Sequence, residues 1–372
     1  MRWLPMMTAH RPGPSDGAHL SEHPDSVVTI CAPVPPRDGV PLVAAERTSR
    51  GSVMSDLGRV VVLAGGLSHE REVSLRSGRQ VTEALRAAGC DVDLLDTDAG
   101  LVPTLLGDRP AAVFPTLHGA AGEDGAVRDV LELMKIPYVG ARPAACRLAF
   151  VKPVAKDVVA AAGVATPAFV TLPHTTFRDL GAGRLLDLIV ERLGLPLFVK
   201  PAQGGSALGA STVRTSAELP EAMVSCYAYG DTALIERFIE GTEVAVSVVD
   251  TGSGPVALPP VEIVPRHGVY DYPARYTPGE TEFFVPARLA PDVEDAVRRL
   301  AVEAHNRLDL RDLSRTDLIV DGSGRPWFLE VNVAPGRTQT SLFPQATRGA
   351  GADLGVLCRD LLQNAMIRLR SS

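Results

Sequence analysis

The chain lacks the features that mark a membrane protein, a disulfide-rich protein or a nucleic-acid binder. No apolar run approaches the roughly eighteen residues of a membrane span, because Thr166 and Pro167 interrupt the most apolar stretch, residues 158–172. The five cysteines are odd in number and far apart, without the spacing of metal ligands, which argues against a disulfide framework or a zinc site. The net charge of −7 argues against nucleic acid as a partner. We therefore expect a cytoplasmic protein with no membrane contact.

The first 54 residues differ in composition from the rest of the chain. They hold eight of the 30 prolines and four of the seven methionines, and their charges cancel. They show no sustained helical or strand period and no apolar core of a signal peptide. We expect residues 1–54 to be a disordered or mis-started extension, with Met54 as a plausible true start, and a chain beginning there to keep full activity.

From residue 55 onward the pattern alternates between strand and helix. Strands are predicted over residues 60–64, 92–95 and 111–114, with helices up to residue 88 and over 124–134. Such βαβ units indicate a mostly parallel sheet. Beyond residue 150 helices and hairpins mix, with a helix over 291–308 and a last helix capped by Asp353. The fold class is therefore α/β, becoming α+β in the C-terminal part.

Residues 314–332 predict a β-hairpin with a polar face. If the turn centres between Ser323 and Gly324, Asp317 lies opposite Glu330 and Arg315 opposite Asn332. Two facing carboxylates beside an amide suit a hard cation such as Mg²⁺, although a solvated hairpin face would explain them equally well. The other face would carry four residues, Thr316, Leu318, Leu329 and Val331.

A glycine-rich stretch, residues 200–209, follows a predicted strand and begins with Lys200. Glycine-rich backbone can bring N–H donors close to phosphate oxygens, with lysine as a point charge. Glycine-rich turns are common, and this one is not a Walker sequence. Lysine is rare, however: the chain has four, Lys135, Lys152, Lys156 and Lys200, among 37 basic residues. A lysine at this position therefore strengthens the case for phosphate binding, although an ordinary glycine-rich turn stays the more common explanation.

Two more loops follow predicted strands, residues 65–72 and 117–125. In an open α/β sheet, ligands bind outside the carboxyl ends of the strands. Taken separately, the polar residues have structural interpretations: Ser74 and Asp124 as helix caps and His118 as a buried, hydrogen-bonded histidine.

Taken in order, five motifs resemble the D-alanine–D-alanine ligase family of the ATP-grasp class. They are Gly-Gly-x-Ser-x-Glu-Arg-Glu-Val-Ser, Leu-His-Gly-x-x-Gly-Glu-Asp-Gly, Lys-Pro-x-x-x-Gly-Ser-x-x-Gly, Tyr-Asp-Tyr-x-x-x-Tyr and Arg-x-Asp…Glu-x-Asn-x-x-Pro-Gly. The resemblance covers about residues 57–369. It implies an N-terminal βαβ substrate domain over residues 55–150 and a two-part ATP-grasp fold, with a central domain over 151–232 and a C-terminal domain over 233–372.

The resemblance also implies ligands and partners. ATP and D-alanine would be the substrates, one or, more typically, two Mg²⁺ or Mn²⁺ ions the cofactor, and a homodimer the assembly. The dipeptide would serve peptidoglycan precursor synthesis.

Roles on the nucleotide side carry over by position. Lys152 and Lys200 would contact the phosphates, and the Gly204–Gly209 loop would cover them. Glu236 and Glu243 would hold adenine-side groups and ribose. The residues implied for ATP are Lys152, Lys200, Gly204, Gly205, Gly209, Glu236 and Glu243, and those for metal are Asp317, Glu330 and Asn332.

Roles on the amino-acid side follow in the same way. Glu70 would bind the ammonium of the first substrate, assisted by Ser206 and Tyr276, and Ser341 the carboxylate of the second. Arg315 and the N–H of Gly336 would stabilise the tetrahedral oxyanion. His118 and Arg275 complete the implied substrate-binding set, and a segment around residues 270–281 would close over it.

The chain departs from the family pattern at several positions. Arg275 stands where lysine is usual, and Arg337 stands where Met or Phe is usual, as an extra cation near the second-substrate site. In the phosphate loop Ala207 replaces a serine and Gly204 an acid. Tyr276 is typical of the dipeptide-forming branch rather than the D-lactate-using branch.

Three functions therefore stay open. The first is D-alanine–D-alanine ligase. The second, motivated by Arg275 and Arg337, is an ATP-grasp ligase with a different second substrate in a specialised pathway. The third is a nucleotide-binding regulatory protein without turnover, against which the complete set of Arg315, metal-ligating acids and Asn332 argues.

Overall fold

The structure is a computed structural model that describes residues 57–371, without residues 269, 271 and 278. The side chains of residues 121, 273, 276, 370 and 371 are likewise outside the description. The expectations for residues 1–54, and that for the Tyr276 side chain, therefore fall outside the described part of the chain.

The N-terminal part is a three-stranded parallel sheet of order β2-β1-β3, as predicted. Glycine ends the first strand, and the chain turns into a long helix whose buried stripe packs on that strand. The predicted helix over 124–134 begins later, because Gly125 adopts φ +89° and separates two short helices. The elements are β1 (Val60–Ala64), α1 (Arg71–Ala87), β2 (Val92–Asp96), α2 (Leu101–Gly107), β3 (Ala112–Pro115), α3 (Ala120–Glu123), α4 (Ala126–Leu133) and α5 (Pro143–Phe150).

The two cap interpretations have different outcomes. Asp124 does bond to the start of a helix, although Gly125 and not Asp124 is the N-cap residue of α4: its Oδ1 accepts the Ala126 N–H at 2.8 Å. Ser74 does not, because it lies inside α1. Its hydroxyl instead accepts the Gly65 N–H at 2.9 Å and donates to the Thr116 carbonyl at 3.0 Å, which fixes the helix to the ends of two strands.

The central part is an antiparallel sheet of order β4-β7-β5-β6 with its own apolar core. The boundary expected at residue 232 falls on the first residue of β7, so a boundary after that strand keeps the sheet whole. The elements are α6 (Lys152–Ala161), β4 (Phe169–Pro173), α7 (His174–Leu180), α8 (Ala182–Leu193), β5 (Leu197–Pro201), β6 (Ser211–Val213), α9 (Leu219–Tyr227) and β7 (Thr232–Arg237).

The C-terminal part is an antiparallel sheet of order β11-β10-β8-β12-β13, with β9 paired to β8. The predicted helix over 291–308 is confirmed, and Asp353 caps the last helix by accepting the Val356 N–H at 2.9 Å. The elements are β8 (Gly241–Val249), β9 (Val256–Ala257), β10 (Val261–Pro265), α10 (Tyr272–Tyr276), β11 (Thr281–Phe284), α11 (Pro291–Arg307), β12 (Leu313–Asp321), β13 (Pro326–Asn332), α12 (Leu342–Gly349) and α13 (Leu354–Ser371).

The first and last elements share one hydrophobic core. Val60 and Phe114 of the N-terminal sheet pack in the same cluster as Leu357 and Leu361 of α13. Buried Asp312 reinforces this junction, since it accepts the Gly140 N–H at 2.7 Å and pairs with Arg368 of α13. Nothing among the described helices is long and apolar enough to span a bilayer.

The β12–β13 hairpin has the predicted pairing at its polar end and a different one near the turn. Arg315 lies opposite Asn332 and Asp317 opposite Glu330, but Leu318 lies opposite Phe328. Leu329 is therefore an extra residue in a β-bulge. The prediction that Leu329 lies on the face opposite Asp317 and Glu330 was wrong, because the bulge turns it into the cleft beside Glu330.

Candidate active site

Two adjoining cavities lie where the three parts of the chain meet. The larger, about 1350 Å³, lies between the central and C-terminal sheets. The smaller, about 80 Å³, lies between the loops of the N-terminal part and the loop after β13. Several residues line both, among them Glu70, Lys152, Gly204, Arg275 and Glu330. A ligand in the larger cavity can therefore reach a ligand in the smaller one.

A chain of alternating charges lies along the wall of the larger cavity. Lys200 Nζ is 3.1 Å from both Glu236 Oε1 and Glu330 Oε2, and Lys156 Nζ is 2.7 Å from Glu236 Oε2. Burial alone would raise the pKa of Glu236, but the two lysines outweigh it and lower that pKa. Burial likewise opposes the charge on Lys200, yet Glu236 and Glu330 raise its pKa above the ordinary value. Lys200, Glu236 and Glu330 are therefore each held in the charged form by their partners, whereas burial lowers the pKa of Lys156.

The glycine-rich loop after β5 holds Lys152 at the mouth of both cavities. Lys152 Nζ donates to the Gly204 carbonyl at 2.5 Å. Gly204 and Gly209 have φ of +97° and +69°, and the non-glycine residues Ser206 and Ala207 between them both have φ +55°. Such left-handed backbone at non-glycine residues costs energy and concentrates at ligand-binding sites. The loop is thus held in one shape above the lysines.

The smaller cavity contains acids from two N-terminal loops. The Glu70 carboxylate accepts a hydrogen bond from the Ser206 hydroxyl, and Glu123 Oε1 accepts the Gly119 N–H at 3.1 Å. Burial, and then the charge of Glu70, raise the pKa of Glu123 to about 8. An ammonium group entering this cavity would pair with Glu70 and favour the ionised form of Glu123.

His118 is the buried, hydrogen-bonded histidine that its structural interpretation predicted. It is buried and its Nε2 lies 3.0 Å from Ser77 Oγ, yet it also lines the smaller cavity. Burial, followed by the charge of Arg337, lowers the pKa of His118 to about 3. The imidazole is therefore neutral and can only hydrogen-bond, not attract, a substrate carboxylate.

The opposite wall carries Arg315 and the loop after β13. Arg315 Nε and Nη2 donate to the two carboxylate oxygens of Asp317 at 2.7 and 2.8 Å. Ser341 lies at the start of α12, and its Oγ accepts the Thr338 N–H at 3.0 Å. A side chain at Gly336 would place its Cβ 2.8 Å from Ser341 Oγ, so only glycine fits there without a shift. Gly336, Ser341 and Arg315 all line the smaller cavity.

The hairpin offers oxygen donors suited to a divalent cation. No group of three or more His, Cys, Asp or Glu side chains that could hold a metal occurs within the described residues, but two acids and an amide oxygen meet at the cavities. Asp317 and Glu330 are each already paired with a cation, Arg315 and Lys200. Asp317, Glu330 and Asn332 therefore fit a hard ion, provided that these cations turn to other partners.

The remaining predicted residues divide into two groups. Glu243 and Arg275 line the larger cavity, and the Arg275 guanidinium stacks 4.2 Å from the Tyr270 ring centroid. Burial raises the pKa of Glu243 to about 7. The expectation that Arg337 adds a cation to the second-substrate site was wrong, because its side chain packs over the Phe114 ring and lines neither cavity.

Sequence reasoning missed three residues of this region: Ser77, Glu123 and Lys156. Glu123 lies within the Leu-His-Gly-x-x-Gly-Glu-Asp-Gly motif, and only its burial distinguishes it from a solvated acid. Lys156 follows Lys152 by one helical turn, and the scarcity of lysine was a signal that could have found it.

Comparison with known proteins agrees with this geometry. A family model described as D-ala D-ala ligase C-terminus matches residues 158–363, and one described as D-ala D-ala ligase N-terminus matches residues 104–141. The D-alanine–D-alanine ligase of Bordetella avium is 39% identical over 314 residues, which are 84% of this chain and 96% of that protein. That of Pelotomaculum thermopropionicum is 39% identical over 83% of this chain and 96% of its own length.

Solved structures give the same result. The VanG D-Ala:D-Ser ligase from Enterococcus faecalis has a TM-score of 0.70 at 27% identity, covering 83% of this chain and 99% of that one. The D-alanine–D-alanine ligase from Coxiella burnetii has a TM-score of 0.70 at 25% identity, covering 84% and 96%. This chain is therefore a member of the D-alanine–D-alanine ligase family, with the ATP-grasp fold.

Proposed function

We propose that the protein joins two D-alanine molecules into D-alanyl-D-alanine, with cleavage of ATP to ADP and phosphate. The observation that carries this proposal is the pair of adjoining cavities. The larger has the size and the buried lysines for a nucleotide, and the smaller has the size and the acids for small amino acids. The residues on their common wall are where a phosphoryl group would pass from one ligand to the other.

The first step activates a carboxylate, which is a poor electrophile. An oxygen of the first D-alanine bonds to the γ-phosphorus as the bond from that phosphorus to the ADP oxygen breaks, giving an acyl phosphate and ADP. Lys152 and Lys200 neutralise charge spread over the transferring group. Glu70, hydrogen-bonded by Ser206, binds the ammonium of the same D-alanine.

The second step forms the peptide bond. The free amine of the second D-alanine attacks the acyl carbon, the carbon–oxygen bond to phosphate breaks, and phosphate leaves. Arg315 and the Gly336 N–H stabilise the tetrahedral oxyanion, and each such donor contributes roughly 3–4 kcal/mol. Ser341 binds the carboxylate of the second substrate. Two amino acids held in register also lower the entropic barrier.

We assign Asp317, Glu330 and Asn332 to one or two divalent cations. Bound Mg²⁺ or Mn²⁺ would supply charge neutralisation at the phosphates. Lys200 already contacts Glu330, so this lysine is placed to exchange a carboxylate for a phosphate oxygen when the nucleotide enters. Glu236 and Glu243 are assigned to adenine-side groups and ribose.

We further propose a homodimer, and a division into an N-terminal, a central and a C-terminal domain. The three separate sheets support the division. The dimer rests on the family alone, and sedimentation of the full chain tests it.

The function is tested with purified protein, ATP, Mg²⁺ and D-alanine. Phosphate release should match dipeptide measured by mass spectrometry. Absence of dipeptide under these conditions would refute the proposal.

A second candidate is a ligase that takes a different second substrate. Arg275 favours it, since arginine and lysine bind phosphate differently, and one of the solved neighbours is named a D-Ala:D-Ser ligase. A panel of D-serine, D-lactate and L-alanine beside D-alanine decides between the two candidates. A clear preference for D-alanine at both sites removes the second.

A further inference from the structure

Arg337 is a buried cation, and no acidic side chain among the described residues lies within hydrogen-bonding distance of its guanidinium. Its side chain is 1% exposed, and its guanidinium carbon lies 5.1 Å from the centroid of the Phe114 ring. Within the described part of the chain, Nε and Nη1 have no hydrogen-bond partner. Burial lowers the pKa of Arg337 to about 10, so it still carries its charge at neutral pH. Such a group costs stability, and an apolar side chain would fill the same space more cheaply.

The backbone of Arg337 connects two walls of the smaller cavity. Its N–H donates to Ser77 Oγ at 3.2 Å, and the same Oγ lies 3.0 Å from His118 Nε2. Ser77 is fully buried in α1, the helix that begins after Glu70. One hydroxyl therefore joins the loop that carries Gly336, the helix behind the first-substrate acid, and His118.

The hydrogen bonds of Ser77 favour one neutral tautomer of His118. The Ser77 hydroxyl accepts a hydrogen bond from the Arg337 N–H. It has a single proton of its own, which it can donate in a hydrogen bond to His118 Nε2. The His118 proton then lies on Nδ1, which is 4.0 Å from Glu123 Oε1, and the ring also has a hydrogen bond with the backbone of Ala334. The charged groups that face His118 are Arg337, Arg315 and Glu123, and the two arginines disfavour a second proton on the ring.

We propose that Arg337 is a positioning residue for peptide-bond formation: its buried side chain fixes the loop that carries Gly336 against β3, and its N–H holds Ser77 on a neutral His118. The two walls of the smaller cavity are thereby held in one position relative to each other. The inference deepens the ligase function proposed above, on which its kinetic readout rests, while its stability and titration readouts do not depend on that function.

The test compares Arg337→Met and Arg337→Lys with the full-length protein. For Arg337→Met we expect a melting temperature equal to or above that of the parent, because an unpaired buried charge is removed. We expect kcat/KM for D-alanine as second substrate to fall at least about tenfold. The His118 titration, followed by NMR, should move to higher pH because one cation is lost. Arg337→Lys should restore part of each effect.

The control is Arg348→Met, the same substitution at an exposed arginine of α12, which should change none of these quantities. A melting temperature that falls in parallel with activity in Arg337→Met would show a structural arginine instead. Parental kinetics and an unmoved His118 titration would also overturn the inference. If the parent itself forms no dipeptide, the proposed function fails, and the titration and melting temperature still decide the role of Arg337.

Discussion

At the scale of single residues, the chain places its scarce lysines together. Three of the four, Lys152, Lys156 and Lys200, are buried beside Glu236 and Glu330, while the fourth is exposed on a turn. A lysine ammonium is compact and can turn its three donors to different acceptors. This property lets Lys200 contact two carboxylates at once, which a planar guanidinium in the same space would do less readily.

Lys156 is predicted to orient the Glu236 carboxylate for binding the nucleotide, without contacting the nucleotide itself. In Lys156→Met, Glu236 keeps only Lys200 as a partner and is free to turn. We expect KM for ATP to rise about tenfold, equivalent to about 1.4 kcal/mol, with kcat changed little. Initial rates at varied ATP measure this. Lys135→Met, at the exposed lysine, is the control, and equal KM values in the two variants would contradict the prediction.

Glu243 is predicted to make stability depend on pH. Burial raises the pKa of its carboxyl from 4.5 to about 7, so the folded protein retains a proton that the unfolded chain releases near pH 4.5. The contribution of this retained proton to the free energy of unfolding is fully present below about pH 4.5 and is lost as the pH rises through 7. Glu243→Gln should therefore exceed the parent in free energy of unfolding at pH 8, by up to about 3 kcal/mol.

Urea denaturation of both proteins at pH 5 and pH 8 measures this effect. The difference between the two proteins should be small at pH 5 and large at pH 8. A difference that does not change with pH would contradict it.

Part of the site follows from alternation along strands, and part does not. The pairing of Asp317 with Glu330 follows from two-residue periodicity and a turn sequence. The face of the sheet to which Leu329 points does not follow from this periodicity, because a bulge is a backbone irregularity set by neighbouring strands. The direction of Arg337 likewise depends on a tertiary contact, the Phe114 ring, which lies more than two hundred residues away in sequence.

At the scale of elements, β1 and α1 were predictable because local pattern and packing agree. β1 is a run of apolar residues buried at every position, and α1 ends where Gly89 follows. The close contact between them depends on Gly78, for which an added Cβ would lie 2.5 Å from the Ala64 Cβ. Glycine in the middle of a helix is less favourable than alanine by helix propensity. Here the close packing of α1 on β1 outweighs that unfavourable propensity.

Gly78→Ala is therefore predicted to destabilise the protein although alanine is the better helix former. Overpacking of this kind costs about 1–3 kcal/mol. Gly183→Ala in α8 is the matched control, since nothing lies within 4 Å of its added Cβ, and it should stabilise by about 0.5–1 kcal/mol. Urea denaturation compares the two, and changes of the same sign would contradict the argument.

At the scale of the whole molecule, the division into domains and the division into cores do not coincide. The central sheet has its own cluster, but the N-terminal sheet shares its cluster with β8, β10 and α13. Local patterns predicted the N-terminal sheet and the last helix, and the family resemblance implied the central sheet, but neither showed that α13 packs on α1 and β3. Contacts between segments so far apart in sequence produce no hydrophobic periodicity within either segment that would identify the partner.

We therefore predict that residues 57–150 do not fold alone. Without α13 the fragment exposes Phe114, Leu85 and their neighbours. It should lack a cooperative thermal transition and bind a hydrophobic dye, and co-expression with residues 151–372 should restore a folded complex. A cooperative melt of the isolated fragment would contradict the prediction.

The shared core also sets an order of events during translation. The strands β1 to β3 are synthesised before the other described sheets, yet the helix that completes their core begins about 240 residues after β3 ends. At about 5–20 residues per second this interval is roughly 10–50 s. For that time the apolar surface of α1 and β3 that α13 covers in the folded protein has no native partner, so the earliest part of the fold to be synthesised is among the last to be completed.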